Sequence, residues 1–180
     1  MSNLSAAAGT WDIDTAHTNL GFSARHAMVA KVRGHFAEYS GTFTIDGENI
    51  ANSKAEITIQ TASILTGQAD RDGHLKSPDF LDVENFPTIT FVSTAVAEKG
   101  DSVVITGDLT IHGVTKSVDL DTEFNGTAVD PFGNTRAGFE ATVVISRKDF
   151  GLVWNAALEA GGVLVADKVT ISLDVSAIKA

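Results

Sequence analysis

The chain has no cysteine, only three prolines and one tyrosine, and no apolar run long enough to cross a bilayer. Without thiols there is neither a disulfide framework nor a thiolate ligand or nucleophile, so stability must come from packing. Basic residues are scarce: 13 Lys and Arg stand against 23 Asp and Glu, a net charge of −10 that repels a phosphate backbone and argues against nucleic-acid binding. Gly-x-Ser-x-Gly, a phosphate loop and a dinucleotide fingerprint are absent, as is any His-x-His pair, so no catalytic residue, metal or cofactor is assigned and a non-enzyme is expected. His17, His26 and His35 recur at nine-residue intervals, a spacing that does not suit ligands on strands. The segment from Met1 to Gly9 is small and polar, without the basic start and apolar core of a secretory signal, so a cytoplasmic protein that is not membrane-embedded is expected.

What the chain does have is apolar alternation with a period of two, the mark of strands with one buried face. Val163, Val165, Val169, Ile171, Leu173 and Val175 share one face, interrupted only by Asp167, which reads as a strand-end or bulge residue. Ala55, Ile57 and Ile59 repeat the pattern, as do Val103, Ile105, Leu109 and Ile111. Weaker strands run over Leu20–Ala24, Tyr39–Ile45, Ile89–Ala95, Val114–Phe124 and Gly138–Ser146. Turn residues at 46–49, 98–101, 112–113, 130–134 and 161–162 make most connections hairpins, so the strands pair antiparallel.

A single domain over residues 10–180, after a disordered tail at 1–9, is expected from a length of 180 residues that are 43% hydrophobic. About eight one-faced strands must stack as two sheets or close into a barrel, and a barrel of that size can hold one ligand. The alternation breaks at Arg71–Phe91. Residues 68–76 can form a short helix, and Pro78 and Pro87 block its continuation. A second anomaly is the acid-free stretch between Asp14 and Glu38, which contains Arg25, Lys31 and Arg33 and has the potential to seat an anion.

Several long motifs occur in order: Trp11 to His26, Val32 to Phe36, His74 to Val83 followed by Phe86-Pro87 and Phe91, Gly107 to Lys116, and Ser146 to Gly151. In these the chain resembles the YceI-like, polyisoprenoid-binding family. The resemblance implies an all-β fold, an extended antiparallel lipocalin-like barrel, whose apolar pocket holds a long isoprenoid lipid such as a polyprenyl pyrophosphate or an isoprenoid quinone for carriage, storage or sensing. It also implies a homodimer. Two alternatives are a dimeric stress-response or interaction module without lipid, and a hydrolase or isomerase housed in the barrel.

On that reading, strand parity makes Phe22, Phe43, Ile57, Ile59, Phe91, Ile105, Leu109, Val143, Ile145 and Leu173 the candidate lining. Phe80, Phe86, Phe150, Leu152 and Trp154 fall outside the alternation and suit the mouth or a dimer contact. A diphosphate head group would need donors, for which Arg25, Arg71, His26 and His74 are the candidates, the two arginines first because their forks match phosphate oxygens. The competing role for Arg71 is an ion pair with Asp70 or Asp72, and for His74 a contact to backbone carbonyls that holds the helix in place.

Overall fold

Period-two alternation resolves into eleven strands among residues 3–180, the part of the chain that the computed structural model describes. They are β1 (Gly9–Ile13), β2 (Asn19–His26), β3 (Ala30–Phe36), β4 (Tyr39–Ile45), β5 (Lys54–Gln60), β6 (Ile64–Leu65), β7 (Thr88–Lys99), β8 (Ser102–Ile111), β9 (Val114–Val129), β10 (Thr135–Ser146) and β11 (Val165–Lys179). Every pairing between them is antiparallel.

The eight expected strands survive as eight staves, three of which are interrupted. β11 pairs with β2 along residues 165–174 and with β1 at Ala177, Ile178 and Lys179, so β1 and β2 form one broken stave. β3 and β4 form the next, pairing with β2 and β1 respectively, and β5 and β6 the third. The β1–β11 pair joins the first stave to the last. The result is a closed eight-strand antiparallel barrel. Where the first stave breaks, the Thr18 hydroxyl donates to the Ser176 carbonyl at 3.0 Å and accepts from the Ser176 N–H at 3.0 Å. A side chain there does the work of the missing ladder bonds.

Both ends of the barrel are covered. The helix expected at 68–76 is α1 (Ala69–Lys76), which ends where Ser77, ahead of Pro78, turns extended at φ −72° and ψ 168°. The turn that follows folds back, with the Leu81 N–H donating to the Leu75 carbonyl at 2.9 Å. At the other end the chain differs from the expected disordered tail. Asn3–Ala7 form a 3-10 helix with Leu4 and Ala7 buried, and the Trp11 indole N–H donates to the Ala7 carbonyl at 2.7 Å. Small side chains let this segment lie close against the barrel end, a role that composition read as absence of structure. Met1 and Ser2, also in that expected tail, lie outside the described residues.

Candidate functional site

The inner face of the barrel is not filled by its own side chains. Phe22, Ile57, Ile59, Val143, Ile145 and Leu173 point inward yet stay only half-buried, whereas side chains of a close-packed core would be fully covered. The space they face is a cavity of about 210 Å³ lined by apolar side chains together with Gly21 and Arg147. One water needs roughly 10–15 Å³ of such space, so this is a void on the scale of a ligand. A second cavity of about 100 Å³ lies toward the Leu4 end. Ile57, Phe91, Leu120 and Leu173 line both, so the two hollows adjoin across one layer of side chains.

All ten residues assigned to the lining by parity face one or both cavities. Phe22, Ile59, Leu109, Val143 and Ile145 line the larger, Phe43 and Ile105 the smaller, and Ile57, Phe91 and Leu173 both. Parity missed the residues that close the larger cavity from outside the strand pattern: Leu75 on α1, Leu81 in the turn after it, and Arg147. Of the aromatics outside the alternation, Phe80 lines this cavity, as does Leu152. The Trp154 ring stands 5.4 Å from Phe80 and 4.6 Å from the His74 ring. Phe150 is a buried core residue, and Phe86 packs 4.5 Å from the His112 ring.

The four head-group candidates go to different places, and none lines either cavity. Arg71 reaches Thr66: its Nε donates to Oγ1 at 2.7 Å and its Nη2 to the carbonyl at 2.8 Å. Asp72 accepts from the same threonine, through its backbone N–H at 2.9 Å and its hydroxyl. The competing ion pair of Arg71 with Asp70 or Asp72 is thus replaced by a shared hold on Thr66, which ties α1 to the end of β6. His74 pairs with Asp79 at 2.9 Å rather than with backbone carbonyls. Arg25 lies opposite Lys31 on the outer face, because its neighbours Ala24 and Phe22 point inward. His26 does share the inner face. It follows Ala24 toward the barrel end, directly opposite Val165, and both of those residues line the larger cavity. The other two regularly spaced histidines are elsewhere, His17 against Asp14 at 2.7 Å and His35 exposed on β3.

Arg147 is the polar group built into this wall. It is buried, and its guanidinium donates to four backbone carbonyls: Ala166 at 2.9 Å, Leu152 at 2.6 Å, Trp154 at 2.9 Å and Val165 at 3.2 Å. Burial pushes its pKa below the usual arginine range, and the charge of Asp167 offsets part of that. Asp167 sits where the β2–β11 register shifts, the bulge expected of it, and accepts from the Ser146 hydroxyl at 2.7 and 2.8 Å and the Lys148 N–H at 3.2 Å. The Ser146 bond holds its carboxyl below the usual range against the opposing effect of burial. A sequence signal for Arg147 existed, since it heads the Arg147-Lys148-Asp149-Phe150-Gly151 run, but its inward course depends on the 147–164 excursion that alternation does not describe.

The YceI-like domain pattern matches residues 11–177. Protein YceI of Escherichia coli O157:H7 is 44% identical over 150 residues, spanning 82% of this chain and 78% of that protein. Among solved structures, the YCEI protein of Campylobacter jejuni superposes with a TM-score of 0.74 at 30% identity, covering 93% of this chain and 96% of that one. A polyisoprenoid binding domain from Saccharophagus degradans, implicated in plant cell wall breakdown, shares the fold with a TM-score of 0.68 at 15% identity, covering 94% and 98% of the two chains. The barrel, its apolar hollow and the end-to-end sequence match lead to one assignment: the chain belongs to the YceI-like domain family.

Proposed function

We propose that this protein binds a long isoprenoid lipid, a polyprenyl pyrophosphate or an isoprenoid quinone, within the barrel, and acts as a binder rather than a catalyst. The observation that carries the reading is the pair of adjoining apolar hollows sharing Ile57, Phe91, Leu120 and Leu173. A flexible chain of repeating apolar units suits two adjoining chambers better than one rigid ligand does. Burial contributes about 0.8 kcal/mol per CH2-sized group, so a few isoprene units offset an ordering cost on the order of 4–15 kcal/mol. Fold likeness to a polyisoprenoid binding domain supports the same ligand class. Of the proposed head-group donors, His26 has the best position, on the inner face at the rim.

Titration of the protein with a polyprenyl diphosphate and with the matching polyprenol tests this reading. Both should bind, and Val143→Phe, which fills the larger cavity, should weaken both at least tenfold while the protein stays folded. His26→Ala should weaken the diphosphate more than the alcohol. Unchanged affinity in the filled variant would place the lipid elsewhere.

A further inference from the structure

Met28 and Val29 are 60% and 80% exposed at the tip of the β2–β3 hairpin. Their turn is held in an unfavourable conformation: Ala27 and Met28 have φ of 51° and 66°, values that hairpins ordinarily give to Asn and Gly. An apolar tip in a left-handed turn works against both solvation and local backbone energy, and such strain persists where surrounding structure holds it for use. The surroundings are present here. The Ala27 N–H donates to the Leu164 carbonyl at 2.7 Å, and the Met28 side chain lies against Gly162, which brings Val163, 40% exposed, to the same end of the barrel.

The outer face below this tip is basic on a chain of net charge −10. Arg25 lies directly opposite Lys31, and Ser23 opposite Arg33, all exposed except Ser23. Like charges placed opposite across a strand pair repel, so the arrangement lowers stability unless an anion faces it. Lys168, exposed on β11 beside the bulge, adds to the field, and Glu159 in the 151–164 segment opposes it. Between Asp14 and Glu38 the sequence has no acid.

We propose that the β2–β3 tip docks on a bilayer bearing anionic headgroups. Met28, Val29 and Val163 enter the headgroup–acyl boundary, while Arg25, Lys31, Arg33 and Lys168 face the headgroups. Apolar insertion beside a basic rim is the pattern of reversible interfacial binding. Docking would bring the Ala24 and Val165 wall of the larger cavity to the lipid surface, and only this consequence rests on the isoprenoid reading.

The test is co-sedimentation of the whole protein with vesicles of pure phosphatidylcholine and of phosphatidylcholine containing phosphatidylglycerol. The protein should bind the second and not the first, and the bound fraction should fall with salt. Lys31→Glu, Arg33→Glu and Lys168→Glu should each reduce binding about fivefold or more. Met28→Ser with Val29→Ser should reduce it as well, with circular dichroism showing intact folding. Absence of binding by the unaltered protein would overturn the proposal. Binding that follows the charges but ignores Met28 and Val29 would also overturn it, marking a surface for soluble polyanions. Vesicle binding by a protein that takes up no isoprenoid in solution would support docking and refute the cavity reading.

Discussion

The Phe91 ring fills the space that a side chain at residue 107 would occupy: a Cβ built on Gly107 would stand 2.3 Å from Phe91 Cζ and 2.7 Å from the Val92 carbonyl oxygen. Gly107 faces inward on β8, where the strand alternates Val103, Ile105, Leu109 and Ile111 around it. Its lack of a side chain therefore sets where Phe91, which lines both cavities, rests. Gly34 does the same for Phe22, with a Cβ 2.4 Å from that ring. Gly107→Ala should cost about 1–3 kcal/mol in urea denaturation, since the backbone oxygen as well as the ring must give. Adding Phe91→Leu should recover part of the loss. Full stability in Gly107→Ala alone would show that the ring has free room.

Arg147 holds the 147–164 excursion against β11 through four carbonyls. Arg147→Ala should lower stability by about 2–4 kcal/mol, because the carbonyls lose their donors in a buried site. Arg147→Lys should recover less than half, since an ammonium cannot reach the same set of acceptors as a planar fork. Thermal melting of both variants measures this, and a neutral Arg147→Ala would contradict it.

Asp14 and Asp130 flank Arg136, which donates from Nη1 to Asp14 and from Nε to Asp130 at 2.7 Å. The Arg136 bond holds the Asp14 carboxyl below its ordinary value, against burial. For Asp130, burial works upward but is outweighed by the Asn134 N–H, Arg136 and further donors, leaving it at about 2. Both carboxylates thus titrate lower folded than unfolded. Their contribution is complete above the ordinary carboxylate range and is lost as pH falls from about 4 toward 2. Denaturation midpoints should fall across that window, and Arg136→Gln should flatten the fall.

Thr66 is held by both Arg71 and Asp72, so Asp72→Ala should loosen α1 from β6 and the lid that Leu75, Phe80 and Leu81 form over the larger cavity. Hydrogen exchange should rise at 66–82 while β7–β10 keep their protection, a local opening of about 1–2 kcal/mol. Uniform loss of protection would show the helix to be part of the global core instead.

Strand parity found ten residues on strands that face the two hollows, because a period of two survives closure of the sheet, but not Leu75, Leu81 or Arg147, which lie outside the strands. It did not find β3, since its hairpin turns at Ala27 and Met28, without Gly or Asn to mark it. Gly161 and Gly162 marked a turn that lies within the 151–164 segment, and β11 begins at Val165, two residues past the Val163 that opens the alternation. Local charge misled at Arg71, where Asp70 and Asp72 are neighbours in sequence but Thr66 is the partner in space. Head-group assignment from residue type failed for Arg25 for a simpler reason: one step along a strand exchanges inside for outside.

Mass spectrometry of an organic extract from the purified protein tests the isoprenoid reading most directly. A polyprenyl phosphate, polyprenol or isoprenoid quinone should copurify with the unaltered chain and be depleted from Val143→Phe. An extract free of isoprenoid from protein that also fails to take one up on titration would contradict the account.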